Sequence, residues 1–329
     1  MNPHNLLKKL LSGLALVAFA GGHFSALAST FPEQPIRFIV PFNAGSSVDG
    51  LARALGAHMS RELGQPIIVE NKPGANAAIG AMEVAKAKPD GYTLFFASDS
   101  ALVLNGLLYK KLPYEPAKDF KGIGLAANVP LVVVVNSKLP VKDINEFVAY
   151  AKAHPGELNY GSTGNGGAYH MATELFSQAV GVEMVHVPYS GGAPALQALA
   201  GGHVDVMFGV VGSALPYITS GRLRPLAVVT GERVNALEGV PTLKERGYPG
   251  LEAMVRYGLV APAGTPQVII ERLNAALNST VTDQAYRERY TREGYVIPQA
   301  HSDGEFDKWL EQDRVMWAKL IESRGLALD

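Results

Sequence analysis

Ile36-Arg37-Phe38-Ile39-Val40-Pro41-Phe42-Asn43-Ala44-Gly45-Ser46-Ser47-Val48-Asp49 compresses a whole folding unit into one stretch. A β-rich run stops at Pro41, a loop of small and polar residues follows, and Asp49 stands where it can cap a helix. Beyond it Leu51, Ala52, Leu55, Met59 and Leu63 recur at helical spacing. The same order of strand, loop and helix then repeats along the chain. A strand at 67–70 ends in the turn Asn71-Lys72-Pro73-Gly74, a helix over 77–88 stops at Pro89-Asp90-Gly91, and a strand occupies 92–97. Further strands are predicted at 131–135, 158–161, 184–187, 204–208 and 225–229, with helices at 143–153, 167–180, 193–200 and 212–220.

Strands alternating with helices of this length predict an α/β fold, each sheet mostly parallel and flanked by helices. The C-terminal third reads as helical over 266–281, 283–292 and 303–323, with Trp309, Met316 and Trp317 as the packed face of the last helix. Those helices need a surface to cover, most economically the first sheet. The expected result is a discontinuous first lobe of 29–130 and 251–329, an inserted second lobe of 131–250, and a ligand cleft between them.

At the N-terminus Lys8 and Lys9 precede an apolar run over 10–20, and the region ends in Ala26-Leu27-Ala28. This is the pattern of a secretory signal covering 1–28 and cleaved after Ala28; the run is well short of the ~20 residues that span a bilayer. The absence of cysteine excludes disulfides, thiolate-bound metal, thiol catalysis and lipid attachment at the cleavage point, so the product is not a lipoprotein. A net charge of −1 supplies no basic face for nucleic acid. With 35 Gly and 21 Pro in 329 residues, the chain stays below the ~25–30% that marks low-complexity sequence.

In open α/β sheets ligands lie outside the carboxyl ends of the strands. Four loops at such positions are rich in Gly, Ser and Thr: 41–49, Ser98-Asp99-Ser100, 160–167 and 187–194. Glycine admits close backbone approach, and a helix start offers free N–H groups and a positive dipole end. Together they can hold an anion with no Lys or Arg, and none of the four loops contains either. Catalytic patterns fit poorly. Gly45-Ser46-Ser47-Val48-Asp49 lacks the last glycine of a nucleophile elbow, and Gly164-Asn165-Gly166-Gly167-Ala168-Tyr169 ends in Tyr where a dinucleotide loop has Gly. His170 and Glu174 lie one helical turn apart, but the H-E-x-x-H metal motif is absent. His186 and His203 flank strands and read as structural.

The chain resembles the extracytoplasmic solute receptors of tripartite tricarboxylate transporters, the Bordetella uptake gene (Bug) family. The resemblance rests on 41–49, Val69-Glu70-Asn71-Lys72-Pro73-Gly74-Ala75, Pro89-Asp90-Gly91-Tyr92-Thr93-Leu94, 160–170, 187–205, Val240-Pro241-Thr242-Leu243 and Ala261-Pro262-Ala263-Gly264-Thr265-Pro266. It implies a two-lobed, type II-like periplasmic binding protein of the Venus flytrap kind. Such a protein closes on a small carboxylate and delivers it to membrane permease subunits. It further implies that amides of 42–47 grip one carboxylate, with bridging waters and loops 162–166 and 188–193 completing the hold. Three departures stand out: Ala44-Gly45-Ser46 for the usual Pro-Gly-Gly, Pro73-Gly74-Ala75-Asn76-Ala77 for Pro-Gly-Ala-Gly-Gly, and Tyr257 for a usual Trp.

The expected ligand is a carboxylate, with a dicarboxylate favoured. Backbone N–H groups around Ala44, Gly45, Ser46 and Ser47, with the two serine hydroxyls, would hold its first end. Thr163, Gly164, Asn165, Tyr189 and Gly192 would meet the other, and Ser98, Ser162, Gly166, Pro188 and Ala193 complete the lining. Phe42 and Phe208 are the expected apolar wall, and Asp49, His170 and Asp205 the supports. No cofactor, metal or nucleic acid is expected, and the protein should be a monomer without catalytic residues. One rival is an exported serine hydrolase using Ser47 or Ser162 with His170. Another keeps the ligand site but makes the partner a signalling sensor.

Overall fold

The first sheet is built from β1 (Ile36–Val40), β2 (Ile67–Asn71) and β3 (Thr93–Ser98), paired in parallel around β1. The computed structural model describes residues 31–326, so the expected signal sequence at 1–28 and its expected cleavage point lie outside the described residues. Helix α1 (Ser47–Leu63) starts where the Ser46 hydroxyl accepts the Asp49 N–H and ends at Gly64 in the left-handed region. Helix α2 (Ala78–Ala85) leads back to β3, and the short α3 (Asn105–Leu108) and α4 (Pro116–Asp119) lead to β4 (Phe120–Asn136).

Strand β4 belongs to two sheets. Through Pro130 it runs antiparallel to β9 (Met254–Pro262), and from Leu131 it runs antiparallel to β7 (Val206–Val210) and β8 (Leu223–Val228). Proline has no N–H to give a ladder, which makes Pro130 a natural place to change partners. The first sheet has the order β2-β1-β3-β9-β4, and the second continues β4-β7-β5-β6 with β8 on the other side of β4. Its remaining strands, β5 (Asn159–Ser162) and β6 (Val185–Pro188), are parallel to each other, and β5 is parallel to β7. Parallel pairing therefore gathers where the loops are, and antiparallel pairing where β4, β8 and β9 join.

Helices α5 (Ile144–Ala153), α6 (Ala168–Val180), α7 (Gly192–Gly201) and α8 (Val211–Thr219) cover the second sheet. The apolar run at the end of β4 is divided between its two faces. Leu131, Val133 and Val135 join the core with Phe147, Phe176 and Phe208, while Val132 and Val134 join Leu196, Leu199 and Met207. A strand buried on both faces has no alternation to show.

At the C-terminus α9 (Gln267–Thr282) packs on α1 and β4, and α11 (Asp303–Arg324) packs on β4 and the 100–108 segment. Between them α10 (Gln284–Arg292) reaches the 3-10 turn Asn235–Leu237, which follows β8. Trp317 is buried and Trp309 half-buried, but Met316 is exposed; Phe306, Leu320 and Ile321 complete the packed face instead. Two strand segments lacked a sequence signal, 120–130 and β9. Both are interrupted by glycine, and at Gly258 the missing side chain is filled by the ring of Phe306.

Replacing Gly258 by Ala should drive a methyl group into the buried Phe306 ring. A loss of ~1–3 kcal/mol is expected, read as a lowered urea midpoint; an unchanged midpoint would show that the ring moves freely.

Candidate functional site

The first glycine-rich loop is shaped from below by one carboxylate. Asp49, only 3% exposed, accepts the Gly45 N–H (2.9 Å) and Arg53 Nε (3.0 Å) on Oδ2, and Asn71 Nδ2 (2.9 Å) on Oδ1. Asn71 also donates to the Phe42 carbonyl (3.0 Å) and accepts from Arg53 (2.9 Å), so strand β2 is tied to the same loop. Burial by itself would raise the Asp49 carboxyl, but the bonds from Arg53, Gly45 and Asn71 outweigh it and hold it below the ordinary range. Gly45 has φ +79°, a conformation that points its amide inward at little cost only for glycine.

The Gly45 amide is thus directed at Asp49 and the Ser46 amide at the Asn43 carbonyl (3.2 Å). Helix α1 then begins at Ser47, and a helix start leaves backbone N–H groups without intrahelical partners. Asn71 and Arg53 were not singled out by the sequence, although the Asn71 turn was quoted as a strand end.

In the second lobe α6 and α7 begin at Gly167 and Gly191, neither start having a side-chain cap. The loop before α6 rests on two stacked imidazoles. His170 Nδ1 accepts the Gly166 N–H at 3.0 Å, and His186 Nε2 lies 2.6 Å from the Ser162 hydroxyl. Ser162, fully enclosed, also accepts the Gly164 N–H (3.1 Å), while the Tyr189 N–H donates to the Ser162 carbonyl (3.0 Å). Loops 162–166 and 188–193 are therefore tied together. Ser162 pairs with His186, not with the His170 of the hydrolase alternative. The sequence reads His186 only as structural, and its pairing with Ser162 carries no local pattern inside a Val-His-Val strand.

Two phenols, Tyr169 of α6 and Tyr257 of β9, lie near each other. Tyr257 of β9 meets Phe42 edge-on at 5.8 Å and stacks on Phe96 at 6.1 Å. The Tyr169 hydroxyl lies against the start of α7, 3.6 Å from where a Gly192 Cβ would be. Burial pushes the Tyr257 phenol well up, with Tyr169, Asp99 and Tyr295 nearby adding to the effect, so it stays a neutral donor. Ser98 ends β3 opposite Tyr257, and the adjoining Asp99 is buried, its carboxyl pushed up to about 7 by desolvation and the neighbouring Asp313.

Thr163, Gly164, Tyr189 and Gly192 are half-buried, and Ala44, Asn165, Pro188 and Ala193 exposed, on the same loops. Two expectations change. Phe208 is fully buried with its ring 5.3 Å from Phe176, part of the core instead of a cleft wall. Asp205 precedes β7 and accepts the Asn159 N–H (2.8 Å) where β5 begins, at the sheet edge opposite the loops. Among the described residues, no group of three His, Asp or Glu side chains could hold a metal ion, and no helix is long and apolar enough to cross a membrane.

Two lobes joined by crossing strands, with loops and helix starts at the strand ends, define a solute-binding protein. A family described as "Tripartite tricarboxylate transporter family receptor" matches residues 51–326, and the chain belongs to that family. It is 34% identical to protein BugT of Bordetella pertussis over 324 residues, 98% of this chain and 99% of BugT. Among solved structures, Rpa4515 of R. palustris with adipate is similar at TM-score 0.83 and 33% identity, covering 90% of this chain and 99% of that one. MatC from Rhodopseudomonas palustris with bound malate matches at TM-score 0.80 and 33% identity, covering 88% and 100%.

Asp49→Ala should take from Gly45, Arg53 and Asn71 the charged acceptor they share and cost ~1–3 kcal/mol, measured by urea unfolding. Phe208→Ala should cost ~3–5 kcal/mol by emptying core volume. At temperatures where it remains folded, its ligand affinity should match that of the parent; a large affinity loss there would return Phe208 to the cleft.

Proposed function

We propose that this chain is an exported receptor, not an enzyme, that closes its lobes on a small carboxylate and delivers it to a permease. A dicarboxylate is the favoured ligand, and the signal sequence at 1–28 would place the protein in the periplasm. The lobes would divide into 29–130 with 251–329 and 131–250, a division supported by the change of sheet after Pro130 and the start of β9 at Met254.

One observation carries the reading: helix starts meet Gly- and Ser-rich loops that contain no Lys or Arg, and two of those starts have no side-chain cap. Such donors suit a carboxylate, which accepts several N–H and O–H bonds at once. α1 would supply one end of the grip and α6 and α7 the other, with the Tyr169 and Tyr257 phenols as neutral donors between. The relatives bound to adipate and malate support the ligand class. Closure and release require only that the closed state bind the ligand better than the open one.

A thermal-shift panel of mono-, di- and tricarboxylates, including malate and adipate, tests this. At a hundred times the dissociation constant, a ligand should stabilise the fold by ~2.7 kcal/mol, a readily visible rise in Tm. If no carboxylate raises the Tm, the proposal fails; if only tricarboxylates do, the preference for two charges is wrong.

A further inference from the structure

Two imidazoles support loop 162–166 through hydrogen bonds to Gly166 and Ser162. His170 and His186 stack face to face, centroids 4.1 Å apart and 9° from parallel, and Tyr160 lies on His186 at 4.8 Å. The stack is contributed by α6, β6 and β5. The groups facing it are Glu174, one turn along α6, and the Tyr160 phenol, which donates to the Glu174 carboxylate at 2.7 Å.

The hydrogen bonds fix the chemistry. A backbone N–H can only donate, so the His170 Nδ1 that meets Gly166 must carry no proton. A protonated His170 would present donor to donor, and Gly166, at φ +72°, would lose the contact that holds its turn. His186 acts through the Ser162 hydroxyl, which also serves both the N–H and the carbonyl of Gly164 at 3.1 Å. Charging either ring places a cation against the face of the other.

We propose that His170, backed by His186, is the positioning element of loop 162–166. The loop keeps its ligand-binding shape while both rings are neutral, and acidification releases it. Burial lowers both imidazoles, His186 to about 4 with His170 adding to the effect, against an ordinary 6.5. A folded-state value below the unfolded one means that the unfolded or loosened state takes up protons first. The locked loop is therefore favoured fully above 6.5 and progressively less as the pH falls towards about 4. Resting on the receptor reading above, this ties carboxylate capture to neutral conditions and eases release in acid.

Amide hydrogen exchange on the ligand-free protein tests the lock directly. After correction for intrinsic rates, Gly166 protection in the wild type should fall about fivefold between roughly pH 7 and 5, the factor set by one ordinary hydrogen bond. His170→Asn puts a carbonyl oxygen where Nδ1 sits and cannot itself titrate, so its protection should vary much less with pH than that of the wild type, only through His186. His170→Leu should lack the protection throughout. Wild-type protection that stays constant, or a leucine variant as protected as the wild type, overturns the proposal.

Calorimetry with malate and adipate supplies the second arm. Wild-type affinity should fall more steeply with acid than that of His170→Asn, which cancels the titration of the ligand's own carboxyls; parallel curves count against the lock. Should neither acid, nor any carboxylate of the thermal-shift panel, bind at any pH while Gly166 still follows the imidazoles, the receptor reading fails and the lock stands.

Discussion

Strand β4 must satisfy two sheets with one backbone. Its residues up to Pro130 are held by β9, and those after it by β7 and β8, so any displacement of one sheet is felt along a continuous chain. The demands on the two halves differ. The first contains Gly122 and Gly124, where the carboxylate of Asp307 and the imidazole of His301 come close, and the second is a run of Leu and Val buried on both faces. The two sheets are thereby linked through the crossing at Pro130 and the return segment before Met254.

Loop shape in this protein is set by side chains that bond the loops from outside their glycine-rich turns. On one lobe Asp49, Asn71 and Arg53 draw the Gly45 amide inward, and on the other His170, His186 and Ser162 hold Gly164 and Gly166. Each set gathers residues from two or three elements, so a loop of small residues gains a defined form without bulky side chains of its own. Preorganised N–H groups lose less entropy on binding than mobile cationic side chains. They also bring no formal charge that must be desolvated when the lobes meet.

Much of this was legible in the sequence because local signals and tertiary structure agree. The Ile36–Val40 strand, its loop and the helix after it could be read directly, as could the helices of the C-terminal third; the cap could not, since Ser46 and not Asp49 caps that helix while Asp49 holds the Gly45 amide. Residues 120–130 and β9 could not: Gly122, Gly124 and Gly258 weaken the strand signal, and only distant partners such as Phe306 explain them. Phe208 shows the opposite ambiguity, since a strand covered on both faces has no period to distinguish core from cleft. Asp49 and His170 could be named as supports, but their partners Arg53 and Asn71, and His186 and Ser162, become apparent only when separate elements are brought together.

The missing lysines and arginines bear on speed as well as strength. Charged clefts accelerate capture by attracting ions from a distance, and salt abolishes that gain. Glycine-rich loops that carry no Lys or Arg would lack such a field of their own with which to draw in an anion. Encounter would be left to diffusion and commitment to the meeting of the lobes. Capture built in this way would proceed at much the same rate in dilute and in salty surroundings.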